Sequence, residues 1–443
     1  MLSFRPGWGM TGQQPGAEYL HFTTYDSTGQ YMGTTSVAQT GLKLGDLKWA
    51  IKNEYNLGAD FGFFNDKLTG GFNYYDNVTS DQLMSGYAIP SANGFSSLAY
   101  KNTGSVRNYG WELNVSGNRF IEIGKFSVTA YANVSQNFNT ILEMEESVLN
   151  DANADFNYAN GSYLSRIQIG NPLGSIYGFR YKGVYVNNYN TTWSVDQWEE
   201  ARKKAEKMGY QLHDLYPVAC DDQGNTLYGS DRKPLRMVYN YNDGKAAYSF
   251  RGGDAIYEDI NHDGNINQLD IVYLGNSNPK LQGGFGLKFQ YKRLTLNTQF
   301  TYRYGVDVIN SARMNVENMY TNNNQSYAVN WRWRKEGDGL LSPCLPRALY
   351  STGYNWLGSD RYLEDASYLR MSYLQLSYSV DPNILKKYGL SQLYLSGSAN
   401  NLFILSKYTG LDPEIGADGW GRAFDGSKTP RSRSFTLSLT LGF

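Results

Sequence analysis

The sequence contains few of the residues that build metal and redox sites. Its two cysteines, Cys220 and Cys344, lie far apart in the chain and outside any CxxC pattern. This argues against a disulfide-dense scaffold and against a thiolate zinc cluster. The three histidines, His21, His213 and His262, are also well separated, so a histidine metal site is not expected.

Long hydrophobic runs, a charge excess and catalytic motifs are missing as well. No segment approaches the roughly 18 consecutive apolar residues of a membrane-spanning helix, which excludes a helical membrane protein. The 40 basic and 41 acidic residues leave a net charge of −1, without the basic footprint of a nucleic-acid binder. The first 12 residues do not form a secretory signal. GxSxG, HExxH and P-loop motifs are absent, and we expect no enzymatic activity.

The residues that are abundant are uncharged, polar and aromatic. Glycine accounts for 47 of the 443 residues, tyrosine accounts for 38, and charged residues make up only 18%. A membrane β-barrel needs this mixture, because its lumen is polar, its lipid-facing side is apolar and its rims are aromatic.

Alternation of apolar and polar residues is the dominant pattern along the chain, and it predicts β-strands. Residues 47–63 alternate for longer than the roughly five or six residues of a soluble strand, which suits a tilted membrane strand. Eleven segments with this character are residues 3–12, 47–63, 68–79, 111–116, 126–135, 176–186, 284–291, 294–304, 369–380, 393–405 and 433–443.

Short turns alternate with long polar segments between these strands. Residues 65–67, 122–124 and 291–293 are typical of tight hairpin turns, whereas residues 87–103, 141–172, 187–270 and 310–368 form long connections. This asymmetry indicates an all-β fold, a transmembrane antiparallel β-barrel with long extracellular loops and about 11–13 strands in this chain. One short helix is expected at residues 194–209, on the solvated surface of a loop or lying on the membrane.

The last strand carries a specific signal. Phe435, Leu437, Leu439 and Leu441 alternate with polar or small residues, and the chain ends on Phe443. A terminal strand closing on an aromatic residue resembles the signal that the outer-membrane assembly machinery recognises. The alternative is an amphipathic terminal strand of a soluble sheet.

One segment has the spacing of a calcium-binding loop. In the run DINHDGNINQLD, residues 259–270, oxygen donors occupy the EF-hand ligand positions and Gly264 occupies the sharp turn. The candidate metal ligands are Asp259, Asn261, Asp263, Asn265 and Asp270. Asp270 is shorter than the usual bidentate glutamate, and residues 271–274 indicate a strand where an EF-hand has a helix. An Asx-rich loop held by its own side-chain hydrogen bonds is the alternative.

Several segments resemble SusC/RagA-type TonB-dependent transporters of the outer membrane. The segment GSVRNYGWEL at residues 104–113 is similar to a "GSVRNxGxE" motif of that family. The acidic loop followed by GNSNPK at residues 275–280 resembles the family's "GNxxPK" segment. NLF at residues 401–403 followed by YTGLDPE at residues 408–414, and the last strand at residues 430–443, are also similar. These segments extend from about residue 47 to the end of the chain.

The resemblance implies a barrel of 22 strands with a plug, energised by TonB in the outer membrane of a Gram-negative bacterium. A SusD-like surface lipoprotein would close over the barrel, and glycans or peptides would be imported. Residues 1–443 then correspond to the carboxyl-terminal part of the barrel. Signal sequence, TonB box and plug would belong to an amino-terminal part that precedes Met1. This chain would therefore not close a family barrel by itself.

The alternative function is a non-transporting outer-membrane barrel, such as an adhesin or a passive pore, or a non-functional fragment. The substrate is not evident from the sequence. Five aromatic residues in one loop are candidates for stacking on sugar rings, but also for packing within the loop or contacting the lid protein, which we favour: Trp331, Trp333, Tyr350, Tyr354 and Trp356.

Overall fold

The structure is a computed structural model of the 443-residue chain. It describes residues 1–14, 19, 21–85, 87–146, 149–150, 153, 160–163, 166–240, 247–419 and 421–443. Parts of the predicted long connections 141–172 and 187–270 lie outside these residues.

Ten long strands form one antiparallel sheet in which every strand pairs with its neighbours in the sequence. Their alternating residues place one polar and one apolar set on opposite faces, because successive side chains of a strand point to opposite sides. The strands are β1 (Leu2–Gln13), β2 (Ala50–Phe63), β3 (Leu68–Ser80), β4 (Ser105–Ile123), β5 (Phe126–Glu143), β6 (Leu281–Tyr291), β7 (Leu294–Tyr304), β8 (Tyr368–Ser379), β9 (Gln392–Ser406) and β10 (Ser434–Gly442).

The predicted antiparallel all-β architecture is confirmed, and ten of the eleven predicted segments are strands of this sheet. The prediction of a barrel strand over residues 176–186 is wrong. Ser175–Gly178 pairs with Val272–Asn276, and Tyr181–Val184 pairs with Ala255–Tyr257, so both strands belong to a loop. All residues of Ser175–Gly178 are buried, which shows that the apolar residues there enter a protein core.

All the long connections leave the sheet at the same end. They join β1 to β2, β3 to β4, β5 to β6, β7 to β8 and β9 to β10. Their remaining short strands form small antiparallel pairs, apart from one parallel pairing of Val238–Tyr239 with Asn265–Ile266. These strands are Tyr25–Tyr31, Thr34–Gln39, Leu83–Met84, Tyr87–Ala88, Ser97–Leu98, Lys101–Asn102, Val238–Tyr239, Tyr248–Ser249, Asn265–Ile266, Asp307–Ile309 and Leu363–Asp365.

The helices are short, and those in the long connections pack on the folded loops. The longest is α1 (Val195–Lys207), whose amino terminus is capped by Ser194 and Gln197 and whose buried face contains Trp198. The predicted loop helix is therefore present, although one of its faces is packed and not solvated. The others that lie wholly within the described residues are α2 (Leu212–Leu215), α3 (Ser311–Glu317) and α4 (Pro382–Leu385), with 3-10 turns at Ser91–Asn93, Gln268–Asp270, Tyr327–Trp331, Asp338–Leu340, Asp360–Tyr362 and Lys386–Tyr388. Among the described residues, no helix is long and apolar enough to cross a bilayer.

The buried core of the molecule lies in the long connections and not in the sheet. We call the described residues of the connections β5–β6, β7–β8 and β9–β10 the cap. The apolar face of the sheet is exposed, and Leu437 of β10 retains 85% of its accessible surface. An exposed apolar face of this extent marks an interaction surface for lipid or protein.

Candidate functional site

The polar face of the sheet is a continuous wall of amide, hydroxyl and charged side chains. Asn73 of β3 lies opposite Gly58 of β2 and Glu112 of β4. Glu112 in turn lies opposite Ser135 of β5. Because directly opposed residues of antiparallel strands share a face, the polar set stays together across the sheet. This wall is suited to contact water and polar solutes.

An ion pair extends the polar wall to the first strand. The Arg5 guanidinium donates two hydrogen bonds to Asp60, at 2.6 and 2.9 Å, and a third to the amide oxygen of Asn73 at 3.3 Å. Both charged side chains are about half exposed. An exposed pair contributes little stability, so its main effect is to fix the orientation of polar groups on the wall.

The cap packs above one end of this wall as a folded unit made from separate connections. Its largest core contains Tyr177, Tyr239 and Phe250 of the β5–β6 connection together with Leu357 of the β7–β8 connection. The rings of Tyr239 and Tyr354 stack with centroids 3.8 Å apart. Burial of these aromatic surfaces stabilises the two connections jointly.

The third connection joins the cap through backbone hydrogen bonds. The Ile309 amide donates to the Ala423 carbonyl at 3.0 Å, and the Asp425 amide donates to the Ile309 carbonyl at 2.9 Å. Tyr408 is buried against Val306 and Val308. The β9–β10 connection is thereby held against the start of the β7–β8 connection.

A buried ion pair links two connections of the cap. The carboxylate of Asp254, which is fully buried, accepts a hydrogen bond from Arg347 at 2.6 Å, and it also accepts one from the Tyr248 hydroxyl at 2.8 Å. The side-chain oxygen of Asn355 accepts a hydrogen bond from the neighbouring Ala255 amide at 2.9 Å. Such a carboxylate is stable only because these partners replace water.

Two further charge networks anchor the cap near the sheet. Glu317 of α3 pairs with Arg313 and Arg361, at 3.0 and 3.3 Å. Arg370 of β8 pairs with Asp412 of the β9–β10 connection at 2.6 Å. Sequence analysis did not predict these pairings, because Arg361 with Glu317 and Arg370 with Asp412 are far apart in the chain and no local spacing indicates them.

The five aromatic candidates divide into packed and exposed residues. Trp356 is buried in a cluster with Tyr362, Tyr354 stacks in the main core, and the Trp333 indole donates to the Val186 carbonyl at 3.1 Å. Trp331 and Tyr350 are exposed on 45% and 64% of their surface. Trp331 and Tyr350 are therefore the two most exposed of the five candidates for contact with a ligand or a partner protein.

The acidic loop is closed by its own hydrogen bonds. Asp259 accepts from the Gly264 amide at 2.7 Å and from the Asp263 amide at 3.3 Å. Asp263 accepts from the Asn265 amide at 2.7 Å and from the Asn261 side chain at 2.9 Å. Gly264 has a φ of +79°, a left-handed conformation that favours glycine.

Asp270 closes the same loop from its other end. Its two carboxylate oxygens accept from the amides of Ile260 and Asn267, each at 2.8 Å. Burial raises the pKa of Asp270 to about 6, opposed by these amides and assisted by the neighbouring charges of Asp259 and Asp263. Within the parts of the chain described, no three histidine, cysteine or acidic side chains are arranged to hold a metal ion.

Comparison with known proteins agrees with this architecture. Residues 2–218 match the family model described as "TonB dependent receptor-like, beta-barrel". TonB-dependent receptor P39 of Formosa agariphila is 27% identical over all of this chain and 40% of that protein. TonB-dependent receptor SusC of Bacteroides thetaiotaomicron is 26% identical over all of this chain and 37% of that protein.

A solved structure of the RagAB peptide transporter has the same fold. It aligns with all of this chain and 41% of its own, with a TM-score of 0.68 and 21% identity. The chain is therefore similar to TonB-dependent receptors, and its ten-stranded sheet has the fold of the corresponding strands of that transporter. The resemblance to SusC/RagA-type transporters that its motifs indicate is thereby confirmed. The chain spans about two fifths of the length of the curated relatives it matches.

Proposed function

We propose that this chain forms the wall and the extracellular cap of a SusC-like importer in the outer membrane. The apolar face of the sheet would contact lipid, and the polar wall would line an aqueous lumen. The observation that carries this proposal is the separation of the two faces along all ten strands, within a chain that is similar to SusC over its whole length.

The two edges of the sheet favour a barrel that is completed by further strands. Within the described residues, β1 and β10 each have a strand neighbour on one side only. Each unpaired backbone group in a bilayer costs several kcal/mol. We propose that an amino-terminal part supplies the missing strands and the plug, and that TonB energises transport through that part.

The partner would be a SusD-like surface lipoprotein that meets the cap, and the cargo would be a glycan or a peptide. The cap supports a docking role because it is a folded unit at one end of the sheet, with Trp331 and Tyr350 exposed on it.

The experiment is affinity purification of the tagged intact protein from outer membranes, followed by identification of co-purifying lipoprotein and bound ligand. Uptake of that ligand should be lost when the gene or TonB is deleted. Recovery of the barrel without a lipoprotein or ligand, together with unchanged uptake in both deletions, would instead favour a passive pore or an adhesin.

We further propose that the acidic loop binds calcium when the ion is plentiful. Its EF-hand-type spacing supplies Asp259, Asn261 and Asp263, the Asn265 carbonyl and Asp270 as oxygen donors. Burial, which is the largest cause, and the Asp263 carboxylate raise the pKa of Asp259, and a cation would favour its charged form. The bound ion would replace part of the hydrogen bonding that closes the loop.

A further inference from the structure

A second polar site lies in the cap, away from the polar wall of the sheet. A cavity of about 720 Å³ opens there beside α2 and the acidic loop. None of the five aromatic candidates lines it. Five carboxylates line the cavity, together with a single lysine, Lys182. They are Asp214, Asp221, Asp222, Glu258 and Asp259.

Among the described residues, one of these carboxylates pairs with lysine and arginine side chains, and Asp214 lies 3.6 Å from the Nε2 atom of His213. Glu258 pairs with Lys182 at 2.9 Å and with Arg180 at 3.2 Å. Among the described residues, no lysine or arginine reaches any of the other four within ion-pair distance. Three of these four lie outside the proposed calcium loop, so a calcium ion there would leave the cavity acidic.

Two polar groups in the cavity wall lack hydrogen-bond partners. Tyr185 is 3% exposed, and no described residue hydrogen-bonds its hydroxyl. The Nδ1 atom of His213 is buried and also has no partner in the part of the chain that the structure describes. A buried polar group left unpaired costs about 1–3 kcal/mol. The His213 Nδ1 atom is closed off from the cavity, whereas a ligand in the cavity can form a hydrogen bond with the Tyr185 hydroxyl.

The rest of the lining is apolar. Val218, Met237 and Tyr257 contribute hydrocarbon and aromatic surface to the same cavity. A cavity of this volume accommodates a small organic ligand. The combination suits a ligand with an aliphatic stem and a positively charged end.

We propose that this cavity binds an organic cation, a primary amine or guanidinium carried on an aliphatic or sugar framework. The charged group would lie among Asp214, Asp221 and Asp222, and Tyr185 would accept or donate one hydrogen bond. A lysine or arginine side chain of a peptide and an amino sugar both carry this chemistry. Binding follows from the cavity alone, whereas delivery of the ligand for import rests on the proposed function.

The test is calorimetric titration of the purified intact protein in detergent. The probes are trilysine and the glucosamine trimer, each compared with its fully N-acetylated form, which keeps the framework and lacks the charge. We expect the charged form of at least one pair to bind and its acetylated form to bind at least tenfold more weakly. The pair that binds identifies the source of the cation.

Three substitutions test whether the probe binds in this cavity. Asp214→Asn and Asp222→Asn should each weaken binding about tenfold, and Tyr185→Phe should weaken it several-fold by removing one hydroxyl. Glu200→Gln on the exposed surface of α1 removes the same charge elsewhere on the cap and should leave the affinity unchanged. Asp222 is exposed and makes no hydrogen bond to a described side chain, so its variant tests the proposal without disturbing the fold.

Several results would overturn the proposal. These are equal affinity for the charged and acetylated probes, no binding of either charged probe, or unchanged affinity in both aspartate variants. The protein could also bind a probe through these residues and yet import neither probe. That result would support the cation site in the cavity and contradict its role in import.

Discussion

Arg347 and Asp254 join two connections of the cap across 93 residues of sequence, with Nε and Oδ1 2.6 Å apart. Because Asp254 is fully buried, removing its partner leaves an uncompensated charge. We expect Arg347→Met to destabilise the cap by about 3–5 kcal/mol. Limited proteolysis of the folded protein should then cut the cap while the sheet stays resistant.

The double variant Asp254→Asn with Arg347→Met is the control for this prediction. It removes both charges and should be markedly less destabilised than Arg347→Met alone. Equal protease sensitivity of the two proteins would mean that the arginine acts through packing and not through its charge.

Because β2 has an apolar and a polar face, the same substitution at adjacent positions should have very different effects on stability. Leu57 lies on the apolar face and Asn56 on the polar face, since neighbouring residues of a strand alternate. In lipid vesicles, Leu57→Arg should destabilise the barrel by about 2–4 kcal/mol near the bilayer midplane. Asn56→Arg should change stability by about 0.5 kcal/mol or less, as expected at an aqueous surface. Denaturant unfolding in vesicles measures both, and a larger loss at Asn56 would reverse the assignment of the faces.

The two thiols should be poorly reactive at neutral pH. Burial, which is the largest cause, raises the pKa of Cys220 and of Cys344 to about 11. Since only the thiolate is nucleophilic, alkylation at pH 8 should be about a hundredfold slower than for a free thiol. The rate should rise about tenfold with each pH unit up to about 11.

Iodoacetamide labelling followed by peptide mass mapping measures these rates. A cysteine introduced at the exposed position 200 of α1 is the reference. Labelling of Cys220 or Cys344 at the reference rate would show that the thiol is not buried in the folded protein.

Calcium should stabilise the cap through the acidic loop. We expect millimolar calcium to raise the unfolding temperature of the cap and EDTA to reverse the effect, because a ligand that binds only the folded state stabilises it. Asp263→Asn should weaken this response, and Asp231→Asn, in an exposed turn outside the loop, should not. A response that is the same in all three proteins would favour the interpretation of a loop held by its own side chains.

Pairing of the edge strands with an amino-terminal part can be tested by expression. Residues 1–443 carrying a signal sequence should not give a heat-modifiable, protease-resistant monomer in the outer membrane. Co-expression of the amino-terminal part should restore such a species. Its formation by the 443-residue chain alone would mean that these ten strands close as a smaller barrel.

The strands of the sheet were predictable because alternation is a local property of the chain. The same local property misled the prediction for residues 176–186, since a buried strand of the cap also presents regularly spaced apolar residues. Alternation reports which residues avoid water, and it does not distinguish lipid from a protein core.

The cap was not predictable in the same way. The stacking of Tyr239 on Tyr354 and the pairing of Arg370 with Asp412 depend on how separate connections fold against one another. No spacing within a single connection or strand encodes these contacts. The acidic loop was visible because all its donors lie within 12 consecutive residues.

The shared core of the cap also restricts how such proteins can diversify. Tyr177 and Leu357 come from different connections and are buried in the same cluster. Exchanging one connection for that of a relative would cut through this cluster and expose half of it. New specificities should therefore arise either by point changes at exposed positions or by recombination that transfers the whole interval between β5 and β10 as one block.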